Sequence, residues 1–98
     1  MAARRFYKLT PAAAADLEEI WVYTFKTWSL EQADSYHGSI IAACEGLAAG
    51  VKRGRPVEIR EGYFKYAAGS HLVFYRASGG GIEVMRVLHQ SMDVGRHL

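Results

Sequence analysis

With one cysteine, Cys44, in 98 residues, the chain cannot close an internal disulfide, and no second thiol stands beside its four histidines to build a zinc site. Neither a metal nor a cofactor is therefore expected. No window approaches the length of a membrane span, and the Met-Ala-Ala-Arg-Arg start leads into a strand-like run without the apolar stretch of a signal peptide. A cytoplasmic protein with no membrane partner is expected. Internal repeats, linkers and low-complexity tracts are also missing, and the length suits one domain, residues 1–98, because closing a core takes on the order of 100 residues. The net charge of +2 is too small for a general polyanion binder.

What is present is an ordinary globular composition, half apolar and 22% charged, which argues against disorder. A chain this short buries only about 60 to 65% of its unfolded surface, so a partner that covers more apolar area would stabilise it. Charge is unevenly distributed. Asp16, Glu18, Glu19, Glu31, Asp34 and Glu45 fall in the first half. From residue 52 onward, Lys52, Arg53, Arg55, Arg60, Lys65, Arg76, Arg86 and Arg96 outnumber Glu58, Glu61, Glu83 and Asp93. A basic face on the C-terminal half follows.

Phe6 to Leu9 reads as a short strand, closed by Thr10 as an N-cap and Pro11 at the first helical position. On the helix that follows, Ala13, Leu17, Ile20, Trp21, Thr24 and Trp28 share an arc of about 100°, with Asp16, Glu18, Glu19 and Lys26 outside it. Ser29 and Gln32 form a capping box, so a second helix starts at once, with Ala33, Tyr36, Ile40, Ala43, Cys44 and Leu47 facing inward. So short a connection implies an antiparallel helical hairpin. Residues 50–56 read as a basic loop. From Gly62 the period changes to two, giving strands over 63–67, 71–76 and 82–89 joined by glycine turns at 69–70 and 78–81. The order βααβββ predicts an α+β fold: an antiparallel β-sheet covered on one face by the N-terminal helical hairpin, with the first strand joining the sheet edge.

Three groups of side chains are candidates for function. His71 and His89 each end a strand and could sit near each other at one end of the sheet, where one imidazole could act as base and the other as acid, or both could simply bond a turn. Arg60, Lys65, Arg76 and Arg86 lie on or beside the strands and could grip phosphate or carboxylate, or form ordinary surface ion pairs. Trp21, Tyr23, Phe25 and Trp28 crowd one helix, while Val22 and Ile41 fall off the inward stripes. Together they outline a groove for a partner helix or extended peptide. Cys44 sits on an apolar stripe and reads as core.

Residues 15–21, the Glu-Gln-Ala at 31–33, the strand 69–76 and the run from Arg86 to Asp93 together resemble the ParE toxins of bacterial type II toxin-antitoxin modules, within the RelE/ParE superfamily, from roughly residue 6 onward. That resemblance implies the same fold and a toxin that inhibits DNA gyrase by binding, without catalytic residues of its own. A ParD-like ribbon-helix-helix antitoxin would neutralise it in a hetero-oligomer and alone contact operator DNA. Together with the side-chain groups above, this reading puts antitoxin contacts at Trp21, Val22, Phe25, Trp28, Ile41, Arg76 and Arg86, and target contacts at Arg60, Lys65, Arg86 and His89. The superfamily's other branch implies a RelE-like ribosome-dependent mRNA endoribonuclease using Arg60, Lys65, Arg76, Arg86 and His89. Its members usually carry a late Tyr or His, and here no Tyr follows Tyr75. A non-toxic antitoxin-binding homologue is the third alternative.

Overall fold

The computed structural model describes residues 6–98, so the reading of the Met1 to Arg5 start lies outside the described residues. Elements follow in the order β1 (Tyr7–Leu9), α1 (Pro11–Thr27), α2 (Leu30–Ala48), β2 (Arg55–Pro56), β3 (Phe64–Ala68), β4 (His71–Ser78) and β5 (Gly81–His89), with a 3-10 turn at Val94–Arg96. The sheet order is β1-β5-β4-β3-β2. The expected meander of β3, β4 and β5 is antiparallel, and β1 joins the β5 edge in parallel, which makes the sheet mixed. A two-residue strand, β2, extends the opposite edge out of the stretch read as a loop; its Pro56 is tolerated because an edge strand has one unpaired side.

Both helix starts follow from local chemistry. Thr10 Oγ1 accepts the Ala13 N–H at 3.0 Å, and Ser29 Oγ accepts the Gln32 N–H at 3.0 Å. Thr10 also donates its hydroxyl to the Met85 carbonyl at 2.8 Å, which ties the start of α1 to β5. The two hairpin loops carry the backbone signs their turns need: Gly69 has φ 61°, and Gly79 and Gly80 have φ 48° and 87°.

The sheet separates two apolar clusters. Leu17, Ile40, Cys44 and Leu47 of the helices meet Val73, Tyr75, Ile82, Val84 and Val87 on one face. On the other, Phe74 and Leu88 pack with Val57 and Tyr63, and the C-terminal Val94 and Leu98 lie over them. Phe74 is fully buried, contributing on the order of 2 kcal/mol by removal from water. The sequence reading did not foresee this second layer.

Two positions on or just after α1 depart from the helical-wheel expectation. Trp28 was placed in the inward arc but is 73% exposed, because the helix ends at Thr27 and Trp28 leaves helical geometry at φ −122° and ψ −83°. Asp16 was placed outside that arc but is buried, for a reason that lies in β5.

Candidate functional site

Strand β5 outruns β1. Pairing between them ends at Leu9 and Val84, after which the outer edge of β5 is uncovered. There Tyr75 pairs with Val84 while Phe74 pairs with Arg86, so Met85 is one extra residue, a β-bulge. Asp16 of α1 fills the uncovered edge. Its carboxylate accepts the Val87 N–H at 2.9 Å and takes a two-point grip from Arg86, Nε at 2.7 Å and Nη2 at 2.8 Å. The carboxylate thus stands in for a missing strand and holds a cation at the same time. Its hydrogen bond and charge raise the Arg86 pKa against the opposing effect of burial.

Past this point the edge of β5 and the side of α1 enclose a cleft of about 320 Å³, lined by Ile20, Tyr23, Val87, Met92 and both strand-end histidines. His71 and His89 are direct cross-strand partners whose rings meet edge to face with centroids 5.2 Å apart. Tyr36 of α2 supports the pair from beneath. Its hydroxyl oxygen accepts the Ser70 N–H at 2.9 Å and lies 2.6 Å from His71 Nδ1, with the Ala68 carbonyl farther away at 3.4 Å. The short contact fixes the His71 ring against α2. His89 Nδ1 is held by Ser91, through the hydroxyl at 2.7 Å and the backbone N–H at 3.1 Å.

Burial and the facing His89 lower the His71 pKa, only partly opposed by Asp16. The unfolded chain therefore takes up this proton more readily than the folded one. The stability tied to neutral His71 is complete above the ordinary value of 6.5 and is lost as pH falls from there toward the folded pKa. Urea midpoints are expected to fall between about pH 7.5 and 5.5, and to fall less in His71→Gln, whose side chain does not titrate in that window. Equal pH dependence in the two proteins would remove His71 as the cause.

The remaining strand cations divide by face. Arg76 pairs with its cross-strand neighbour Glu83 at 2.9 Å. Arg60 lies over the Tyr63 ring at 4.8 Å and donates to the Leu98 carbonyl at 2.7 Å. Arg60 and Arg86 share a shallow depression beside the C-terminal residues, where Arg86 Nη1 also reaches the His97 carbonyl at 3.4 Å. Lys65 lies in one cross-strand row with Arg86, separated from it by Phe74, and carries no ion pair among the described residues. His89 sits in the helix-side cleft, whereas Phe74, in the row with Lys65, belongs to the opposite face. The structure thus brings Arg60 near Arg86 and His89 near His71, but does not join all five residues in one pocket.

The helix aromatics form an exposed ridge. Trp21 stacks on Phe25 with ring centroids 5.3 Å apart, and its indole N–H donates to Asp34 of α2 at 3.0 Å. Val22, Phe25 and Trp28 are exposed, whereas Ile41 is half-buried against the core. Tyr23 belongs to the cleft and is 68% exposed. Asp16 and Tyr36, which organise the site, were not singled out for function in the sequence reading. The one signal pointing to Asp16 is an acid one residue before the inward-facing Leu17, on a helix that must cross a cation-bearing strand.

The match to known proteins decides what frame this geometry belongs to. A family model described as the ParE toxin of the type II toxin-antitoxin system parDE matches residues 7–94. The chain belongs to the ParE toxin family. This ParE-family chain is 51% identical over 94 residues to Toxin ParE1 of Mycobacterium tuberculosis, covering 94% of this chain and 96% of that one. It is 45% identical over 93 residues to Toxin ParE1 of Caulobacter vibrioides, with the same coverage of each. Among solved structures it is similar to the chromosomal ParDE toxin-antitoxin system from P. aeruginosa, at TM-score 0.75 and 25% identity, covering 87% of this chain and 95% of that one. The RelBE2 toxin-antitoxin complex of Mycobacterium tuberculosis shares the fold at TM-score 0.66 and 18% identity, over 94% and 98% of the two chains. The expected α+β RelE/ParE fold is thereby shown. Among the described residues no helix is long and apolar enough to cross a membrane, and no cluster of three or more His, Cys, Asp or Glu could hold a metal ion.

Proposed function

We propose that this ParE toxin acts in the cytoplasm by binding DNA gyrase and trapping cleaved DNA, and that a ParD-like ribbon-helix-helix antitoxin silences it in a hetero-oligomer. Operator sequence is read by the antitoxin. The observation that carries this reading is the family match over residues 7–94, joined to a geometry in which the nuclease candidates do not converge on one point. Arg86 is held by Asp16 and Arg76 by Glu83, and His89 opens into the cleft beside α1. A phosphoryl-transfer centre needs its acid, base and charge stabiliser around one point. The exposed ridge of Val22, Phe25 and Trp28 supports the antitoxin half of the proposal, since apolar surface grouped on one helix is what a partner helix covers.

Purified toxin is expected to inhibit gyrase supercoiling and raise the level of cleaved DNA, with mRNA on the ribosome left intact. Added antitoxin is expected to restore supercoiling. More of it is expected to be needed against a Phe25→Ala, Trp28→Ala double variant, because side chains of this size in the centre of an interface typically contribute 2 kcal/mol or more. Codon-dependent mRNA cleavage with normal gyrase activity would replace this reading with the endoribonuclease one.

A further inference from the structure

At the sheet edge farthest from β1, two cations face each other across a strand pair. Arg55 of β2 and Lys65 of β3 are direct partners in register, and directly opposed residues lie about 4.5–5.5 Å apart on one face. Like charges so placed destabilise a sheet unless something neutralises them. Among the described residues nothing does: the ion pairs involve Arg76, Arg86 and Arg96, and neither Arg55 nor Lys65 meets a carboxylate. Lys52 and Arg53 bring two further exposed cations to the same edge. Lys52 lies over the Tyr66 ring on the helix side of the sheet and Arg55 and Lys65 on the opposite side, so the charges straddle the edge.

The segment that carries them is fixed. The Gly54 N–H donates to the buried Tyr75 hydroxyl at 2.8 Å, and a Cβ at Gly54 would lie 2.5 Å from that oxygen and 2.6 Å from the Lys65 carbonyl. The Val51 and Lys52 N–H groups both donate to the Gly46 carbonyl at 3.0 Å. The four positive charges are thus held on a pinned turn and a strand pair, with little backbone order left to impose on binding. Asp16, Glu18 and Glu19 lie on α1, which packs at the β1-β5 side, whereas Glu58 and Glu61 sit in the loop that joins β2 to β3 and form no ion pair with Arg55 or Lys65.

We propose that Lys52, Arg53, Arg55 and Lys65 form a contact surface for the phosphate backbone of duplex DNA. Duplex DNA carries one negative charge per about 1.7 Å of its axis, a density that matches closely spaced cations without demanding the geometry of individual carboxylates. Single-stranded nucleic acid fits less well, because it is gripped by exposed aromatic faces. Here Tyr66 lies beneath Lys52, at 5.6 Å from its ammonium, and Tyr63 is buried. Contacts of this kind position a protein on DNA and read no sequence, so operator choice stays with the antitoxin. The surface goes beyond the gyrase reading and does not depend on it.

The test is fluorescence anisotropy with the purified toxin and a random duplex of about 20 base pairs, without gyrase, between about 50 and 200 mM salt. Binding is expected, with log K falling linearly against log salt. In an Arg55→Ser, Lys65→Ser variant the slope should shrink by about 1.8, from about 0.9 per cation removed, and affinity at the low-salt end should fall about ten-fold or more. Arg76→Ser, whose cation is already paired with Glu83, should bind like the parent. Melting temperatures establish that both variants are folded. Three results each overturn the proposal: no binding at the lowest salt, an equal loss in Arg76→Ser, or displacement of the duplex by poly-glutamate at equal charge concentration, which would assign the surface to an acidic polypeptide.

Discussion

Replacing Asp16 with alanine is expected to lower the unfolding free energy by about 3 kcal/mol, a large part of the 5–15 kcal/mol that holds a domain of this size together. Two losses add. The Val87 N–H, buried at the uncovered edge of β5, loses its acceptor, a defect of about 1–3 kcal/mol. Arg86 loses its two-point partner. Its side chain is 25% exposed against 10% for Asp16, so water recovers part of its solvation, and the total stays at the lower end of the range for a broken buried pair. Asp16→Asn keeps an acceptor for the N–H and should lose less. Arg86→Met strands the carboxylate and should cost about as much as Asp16→Ala. The double variant should cost clearly less than the sum of the single ones, a coupling readable by urea denaturation. If Asp16→Ala costs under about 1 kcal/mol, the pair is solvent-screened and the edge is held by other contacts.

This bears on how toxicity experiments at Arg86 are read. Arg86→Glu would set a carboxylate against the Asp16 carboxylate, so lost toxicity would reflect a damaged strand as readily as a lost contact with gyrase or antitoxin. Only Arg86 variants whose melting temperature matches the parent separate these causes.

The parts of the fold visible in the sequence are those set by local chemistry. Thr10 and Ser29 cap their helices as read, the glycine turns at 69–70 and 78–81 close two hairpins, and the inward stripe of α2 from Ala33 to Leu47 is buried apart from half-buried Tyr36. The strand ends also allowed His71 and His89 to come together, as the register then places them. What escaped depends on register. A helical wheel orients Asp16 against one average layer, and has no knowledge that β5 extends three residues beyond the last pairing with β1 before its edge meets Asp16 at Val87. The Met85 bulge hides in an apolar run whose alternation slips by one. The opposition of Arg55 and Lys65 likewise arises only once a two-residue strand, too short to show periodicity, pairs with β3.

The other large effect is expected at a glycine. Gly81 opens β5 where β1 arrives, and the Ile82 N–H donates to the Phe6 carbonyl at 3.0 Å. A Cβ at Gly81 would lie 1.9 Å from the Phe6 carbonyl oxygen, with the Phe6 carbonyl carbon at 2.8 Å and its nitrogen at 2.9 Å. All three are backbone atoms, so no side chain can swing away, and the first strand must move as a unit. Overpacking of a fixed contact costs about 1–3 kcal/mol and occasionally more, and displacing β1 also loosens its pairing with Ile82, Glu83 and Val84. Gly81→Ala is therefore expected to destabilise by about 3 kcal/mol or more, with amide exchange accelerating first at Ile82 and Val84. Gly38→Ala supplies the opposite sign. Gly38 lies within α2 with nothing inside 4 Å of the added Cβ, so alanine there should stabilise by about 0.5–1 kcal/mol through helix propensity alone. Similar melting temperatures for the two variants would mean that β1 does not hold the edge of β5 at Gly81 in solution.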